Sequence, residues 1–422
     1  MNVLAIIFIL VAAVFLFRSP KPWAPLPLLL GASYLTYGQE LLMGPFHFTV
    51  IRILLAVGAI RVMLKHERIS GGLKQLDWMM IYWGVWAIIS SLFHNDIAAT
   101  LVSHLGLVYD SLGIYFLMRV FVEDMDGVLG LCKIVVILLI PVALEMVAEH
   151  LRGTNAFSIF GGISEVCEVR KGKIRAQGPF GHSILAGTVG GVCMPMAVML
   201  WKENRKLAII GIIVTGIIVM ASSSSGPIMT TVFVLIGVCC WTVRQHMQLV
   251  RWSILLGLFA LNLVMKVPVY YLISKIDLTG SSTGWHRSAL IGAAIEHVDE
   301  WWLGGTDYTR HWMPTGVQWN QNHTDITNHY IKMGVLGGLP MMILFILVLA
   351  SAFSTVGKAL SLQKNEPVWR QFQIWTLGVI LFAHVATFFS ISYFDQSVVF
   401  LYLLLAAIAC LNIDAKSSTI KH

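Results

Sequence analysis

Charge is what this sequence lacks most. Only 12% of its 422 residues are Asp, Glu, Lys or Arg, against 57% that are hydrophobic. Soluble domains average about 25% charged residues, so a water-facing globule is excluded. Apolar runs of roughly 17–22 residues recur along the chain, long enough to cross ~30 Å of hydrocarbon at ~1.5 Å per residue. The runs are continuous rather than alternating, which excludes a transmembrane β-barrel. Neither end carries a stretch polar enough for a soluble domain. Cysteine is sparse too. Of six, Cys132, Cys193, Cys239, Cys240 and Cys410 lie in apolar runs and only Cys167 lies in a loop, so neither a disulfide framework nor a CxxC metal spacing is present. The first run, MNVLAIIFILVAAVFLF, has no basic n-region and no small-residue cleavage site. A retained helix is expected there, not a signal peptide.

What is there reads as an all-α polytopic membrane protein. Spans are expected at about 3–17, 24–42, 46–64, 77–93, 97–118, 129–149, 182–201, 206–221, 227–243, 251–272, 329–351, 373–391 and 395–412. That is thirteen, or twelve if the Pro-rich second run lies at the interface. The chain then divides into an N-terminal bundle (1–149), a basic loop (150–181), spans joined by a Ser-rich turn (182–272), a large loop with short helices (273–328), and C-terminal spans with a short tail (329–422). With the N-terminus outside, connectors of one parity and the C-terminal tail, with Lys416 and Lys421, carry 17 of the 29 Lys and Arg residues. The short connectors of the other parity (MGPFHF, FHNDIA, ASSSSGP, SISYFDQ) carry none, which places the first set in the cytoplasm. The net charge of +7 reflects this bias, so nucleic acid is not an expected partner. Yet eight cations sit in the two long loops on the opposite face: Arg152, Arg170, Lys171, Lys173 and Arg175 in one, Lys275, Arg287 and Arg310 in the other. A cationic trans surface needs its own reason, and anion binding supplies one.

Four stretches carry the chemistry. In EVRKGKIRAQGPFGH (168–182), Arg170, Lys171, Lys173 and Arg175 supply four cations. Gly172, Gly178 and Gly181 would let backbone amides approach a ligand, and a helix starting near His182 would aim its N-terminal amides there. Guanidinium groups grip phosphate oxygens bidentately; the alternative is a basic loop solvated by water or anionic headgroups. In ASSSSGP (221–227), the serines cap the next span or present hydroxyls, Ser224 and Ser225 among them, to sugar or phosphate. The stretch 282–310 reads as an amphipathic helix ending in Trp-Trp-Leu-Gly-Gly, with Trp301 and Trp302 as interface anchors or as a platform for sugars. Arg287 opens it. Last comes NQNHTDITNHYIKMGVLGG (320–338), in which a neutral imidazole near arginines could act as a general base. His286, His311, His323 and His329 show no HxxxH or HExxH spacing, so no metal is expected. Arg52, Glu40, Glu145, Glu149, Lys266, Lys332 and Asp395 fall at or near the trans ends of spans, which suggests a trans-facing cavity.

RAQGPFGHSILAG (175–187) resembles the R-x-x-G-x-F-x-x-P-N-x-x-A stretch of the O-antigen ligase and polymerase superfamily. The Ser-rich turn (222–226) and the Arg-containing helix leading to WWLGG (287–305) follow in that family's order. His323 then precedes Gly334 by eleven residues and Gly337 by fourteen, as a histidine precedes the family's E-x-G-x-x-G. The resemblance covers about the C-terminal 60% of the chain. The departures are Ser183-Ile184 for Pro-Asn, Ser225-Gly226 for Arg-Gly, His323-Thr324 for His-Asn, and Lys332 for the acidic residue.

The resemblance implies a C-type glycosyltransferase fold in the bacterial inner membrane, acting on its periplasmic side. The donor would be an undecaprenyl-pyrophosphate-linked glycan, with no metal and no other cofactor. Arg175 and Arg287 would hold the pyrophosphate and His323 would orient or deprotonate the acceptor. Arg170, Lys173, Gly178, His182, Ser224, Ser225, Arg52, Asn322 and Lys332 are the further candidates for substrate contact. His329 is expected to be a helix-end residue that tolerates alanine. The departures favour a polymerase of O-antigen or exopolysaccharide over a ligase whose acceptor is lipid A-core. Expected partners are the lipid-linked glycan, the acceptor, membrane lipids and a chain-length regulator. A lipid-linked glycan transporter is the alternative of another class; it calls for inverted repeats and a polar midplane, and neither is evident.

Overall fold

The computed structural model describes residues 1–275 and 284–411. Residues 276–283 of the expected large loop and the C-terminal tail with Lys416 and Lys421 lie outside them, as does the last residue of the final expected span. Among the described residues there are fifteen α-helices and two short hairpins, with no closed sheet. Helices α1 (Val3–Arg18), α2 (Pro25–Tyr34), α3 (Val50–Leu64), α4 (Gln75–Ser90), α5 (Ile97–Phe121) and α6 (Met125–Arg152) form the first group. Helices α7 (Ser183–Met199), α8 (Arg205–Ala221), α9 (Ser225–Cys239) and α10 (Met247–Val264) form the second. Two short helices, α11 (Gly284–Glu296) and α12 (Val298–Trp301), lie in the large loop. Helices α13 (His329–Leu362), α14 (Val368–Thr387) and α15 (Val398–Ala409) close the chain. Five helical segments are long and apolar enough to cross a membrane: Gln75–Phe93, Ile97–Phe121, Met125–Arg152, Ser225–Val264 and His329–Leu362.

Side-chain caps start many of these helices. Asn2, Asp96, Asp124 and Asn204 accept from the backbone N–H of Ala5, Ala99, Gly127 and Leu207 at 2.9, 2.9, 2.9 and 3.1 Å. Each satisfies a donor that the first turn leaves unpaired. Gly153, in the left-handed conformation, closes α6.

Two expectations are corrected. The run 24–42 is not one helix: α2 stops at Tyr34, and strands β1 (Glu40–Met43) and β2 (Phe46–Thr49) form a hairpin around Gly44-Pro45. Apolar residues on both sides of that turn imitate a span in hydropathy, while Gly44 at φ +60° turns the chain. The second correction concerns the run 251–272. Its helix α10 buries none of its residues, so it stands off the bundle. By Val269–Lys275 the chain packs against α11.

Helix α13 breaks at Gly337 and Gly338, which have non-helical backbone. The break frees backbone groups, and the large loop satisfies them. Leu339 N donates to Trp302 O at 2.8 Å, Thr306 N to Val335 O at 2.9 Å, and Trp86 Nε1 to Gly337 O at 2.7 Å. Gly305 and Gly338 both have positive φ here, and a Cβ on either would collide with the facing backbone. The WWLGG turn is therefore docked into the kink of α13.

Contacts sort the connectors into two ends of the bundle. At one end Lys21 pairs with Glu123, Arg370 with Asp126 (2.9 Å) and Gln373 with Glu203 (2.9 Å). Arg119 and Asp77 also meet near this end, both fully buried, at 3.0 Å, with Tyr115 donating to the same carboxylate at 2.7 Å. At the other end Asn2 meets Ile159, Asn95 meets Asp307, Gly181 meets Asp395 and Ser392 meets Ile326. Removing one partner of a buried pair strands a charge in low dielectric and costs about 3–5 kcal/mol. Asp77→Ala is therefore expected to lower the unfolding midpoint in detergent markedly, while a surface change such as Asp126→Asn leaves it nearly unchanged. Equal midpoints for wild type and Asp77→Ala would refute this.

Candidate functional site

The segment 168–175 folds as a hairpin. Strands β3 (Glu168–Arg170) and β4 (Lys173–Arg175) pair antiparallel, with Arg170 opposite Lys173. The two turn residues, Lys171 at φ +50° and Gly172 at φ +74°, match a type I′ turn, whose twist suits a hairpin. This gives Gly172 a turn role, and the same residue also lines the cleft described below. Ala176 N then donates to Ala221 O at 3.1 Å, tying the hairpin to the Ser-rich turn after α8. In that turn Ser223 holds a left-handed φ of +46°, a strained conformation for a residue with a Cβ.

A small pocket, about 20 Å³, forms where these elements meet. Arg170, Arg175, Ser223, Ser224, Ser225, Gly226 and Arg287 line it with Ile184. Five sequence candidates thus come together: Arg170, Arg175, Ser224, Ser225 and Arg287. Arg175 is buried, with Nη1 donating to Glu168 at 2.6 Å and Nη2 to Ser224 Oγ at 2.9 Å; its Nε is buried without an acceptor. Arg287 is also buried, its Nε likewise lacks an acceptor, and among the described residues it is in no ion pair. Burial pushes its guanidinium below its ordinary range, Arg170 adds repulsion, and Asp325 partly offsets both. Helix α9 begins at Ser225 with no side-chain cap, so its first amides also face this region. Three guanidinium groups and a helix N-terminus thus line one pocket, and among the described residues only Arg175 of the three is in an ion pair, with Glu168.

Beside this pocket runs a larger cleft of about 670 Å³. Arg170, Lys171, Gly172 and Lys173 form its rim, and Val147, Leu151, Ile217, Met220 and Ile228 of α6, α8 and α9 form apolar walls. Lys173 therefore belongs to the cleft rim and not to the inner pocket. His182 caps α7, accepting from Ile184 N at 3.1 Å, and lies 4.0 Å from Glu168.

His323 lies in the loop before α13. Its Nδ1 is 3.2 Å from Thr309 Oγ1, and its backbone N donates to Asn320 Oδ1 at 2.8 Å. Burial lowers its basicity, Asp307 opposes that and His94 reinforces it. The neighbouring Asp307 is held by His94 Nδ1 at 2.5 Å and Asn95 N at 2.8 Å. Neither His94 nor Asp307 stood out in the sequence; the only signal was a histidine in an otherwise unremarkable short connector. Two residues beyond His323, Asp325 accepts through its carbonyl from His286 Nε2 at 3.0 Å. The loop bearing His323 is thereby attached to the helix bearing Arg287.

Other candidates have different tasks. Gly178 N and Gln177 N donate to Glu149 at 2.9 and 2.7 Å, so Gly178 offers no free amide to a ligand. Arg52 is clamped by Asp110 through two bonds, at 2.9 and 2.8 Å, away from the pocket. Lys332 Nζ donates to Tyr393 O at 2.8 Å inside the bundle. Asn322 is exposed; its carbonyl accepts from Thr309 N and Arg310 N at 2.9 and 3.0 Å, leaving its side chain at the surface. Glu145 and Asp395 likewise accept from the loop amides of Ala156 and Gly181, at 2.9 and 2.7 Å. These acids anchor loops; the cavity expected from their common depth is not what they form. His329 begins α13, but its ring is buried and stacked on Phe388. Alanine there would leave a void in an aromatic cluster, so the expected tolerance is corrected.

No protein-family model matches the chain, and no curated protein matches it.

Burial and the nearby Arg175 push His182 down to about 4, against ~6.5 in an unfolded chain. Between those values the unfolded state binds more protons, so stability falls as pH drops through that window. His182→Asn keeps an acceptor for the α7 cap and should flatten the loss. Thermal unfolding in detergent between about pH 4 and 7 measures it; an unchanged pH slope would overturn the assignment.

Proposed function

We propose that the protein is a glycosyltransferase of the inner membrane, transferring glycan from undecaprenyl pyrophosphate to an acceptor hydroxyl on the periplasmic side. The observation that carries this reading is the pocket lined by three arginines, of which only Arg175 has a carboxylate partner, opening beside an apolar-walled cleft with a cationic rim. A polyprenyl pyrophosphate has the matching form: a dianionic head and a hydrocarbon tail. In this reading the tail follows Val147, Leu151, Ile217, Met220 and Ile228, and the pyrophosphate sits under Arg170, Arg175 and Arg287.

The step is a displacement at the anomeric carbon. The acceptor oxygen forms the new C–O bond, the bond to pyrophosphate breaks, and its electron pair stays on the leaving phosphate oxygen. Arg175 and Arg287 stabilise that growing charge from fixed positions, usually the largest catalytic contribution. In this reading His323 is the tautomer whose Nδ1–H donates to Thr309 Oγ1, which keeps a lone pair on Nε2 to take the acceptor's proton. The depressed basicity of His323 keeps it neutral and competent at physiological pH. The C-type fold, the periplasmic site and the polymerase assignment belong to this proposal, with ligation to lipid A-core as its variant.

Transfer from a synthetic polyprenyl-pyrophosphate glycan by the purified protein tests it. Arg175→Ala and Arg287→Ala should each lose about 10²–10³ in rate, and His323→Ala about 10²–10⁴. His329→Ala should instead lower the unfolding midpoint. Full activity in folded Arg287→Ala would sink the reading. Lipid intermediates of a deletion strain separate the variants: single repeats left on the carrier mean a lost polymerase, long stranded chains a lost ligase.

A further inference from the structure

The fold gathers three Lewis-basic side chains that the sequence keeps apart. His297 precedes α12, Glu300 lies within it, and His311 sits in the turn Arg310–Trp312. Their ligand-type atoms all lie within 4.8 Å of one another. His297 Nδ1 and His311 Nε2 approach the same oxygen, Glu300 Oε1, at 2.9 and 2.8 Å. Trp312 Nε1 donates to the other oxygen at 3.0 Å, fixing the carboxylate as outer-shell partners do around metal ligands. The imidazoles are braced as well: His297 stacks on Trp312 at 6.0 Å and His311 on Tyr308 at 5.2 Å, each with rings 5° from parallel. The three side chains are 33%, 31% and 37% exposed, so solvent ions reach them. Burial alone would raise Glu300, but its bonds to Trp312, His311 and His297 hold it below the ordinary carboxylate range.

We propose that His297 Nδ1, Glu300 Oε1 and His311 Nε2 bind a divalent ion of the zinc type, with water in the fourth position. Zinc bonds of ~2.0–2.1 Å in tetrahedral geometry set ligand atoms roughly 3.3 Å apart, so the present contacts need open by only about half an ångström. The ion's place is structural. It joins the end of α11–α12 to the loop in which Thr309, two residues before His311, contacts His323. It lies outside the arginine pocket, and it stands independently of the glycosyl-transfer reading.

The test uses the full chain, purified without a histidine tag, stripped with EDTA and titrated with Zn²⁺ by calorimetry. Wild type should bind one ion per chain, with hydrogen exchange in 306–328 slowing on addition. Glu300→Gln and His311→Gln, which keep hydrogen-bonding capacity and so guard against misfolding, should bind at least tenfold more weakly. Their exchange in 306–328 should not respond to Zn²⁺. His150→Ala, outside the cluster, should match wild type. Absence of stoichiometric binding in wild type, or undiminished binding in folded His311→Gln, overturns the proposal.

Discussion

A charge inside a low-dielectric bundle must meet its opposite, and this constraint sorts the arginines of the protein. Arg52 is held by Asp110, Arg61 by Glu67 and Arg119 by Asp77, each at 3.0 Å or less. These pairs join α3 to α5, brace the end of α3, and join α4 to α5. Arg287 is equally withdrawn from water and has no such partner among the described residues, while Arg175 shares Glu168 with a half-exposed surface. The contrast separates arginines paired inside the bundle from those lining the pocket, which the proposed reading gives to an anion.

The second determinant is the broken helix α13. A regular helix offers no free backbone groups to a docking loop. By losing its pattern at Gly337–Gly338, α13 exposes carbonyls that Trp86, His94 and Thr306 take up. The WWLGG turn is thereby fixed to the bundle, and with it the start of the loop that leads to His323. Histidine placement thus depends on glycines far from any chemistry.

The helical architecture was legible because each apolar run is long and continuous, and a helix falls at each of the thirteen expected runs. What misled was locally apolar strand: Leu41-Leu42-Met43 and Phe46 carry span-like hydropathy, but Gly44-Pro45 between them makes a hairpin. Within the site, the cation cluster was visible as like charges at close spacing. The pairing of Arg52 with Asp110 was not, because the two lie 58 residues apart. Glu149 was misjudged for a similar reason. Acids at one membrane depth suggest a cavity, yet its oxygens are spent on the amides of Gln177 and Gly178. The His297–Glu300–His311 group was hidden because its third member comes from another turn.

On the proposed glycosyl-transfer reading, the cleft also bears on the class of donor. A nucleotide-sugar brings a pyrophosphate as well, so three arginines alone would suit either a nucleotide or a lipid carrier. The apolar walls next to them favour a lipid carrier on desolvation grounds. Val147, Leu151, Ile217, Met220 and Ile228 offer no hydrogen-bond partner to a ribose or a base, although Ser223 and the cationic rim of the same cleft do; a polar group buried against the apolar part alone would go unsatisfied at a cost of about 1–3 kcal/mol. A hydrocarbon chain gains from the same surface at roughly 25 cal/mol per Å² buried. On the proposed reading, the juxtaposition of arginine pocket and apolar wall therefore favours the hydrocarbon-linked form of the anion, which is the form a membrane can deliver.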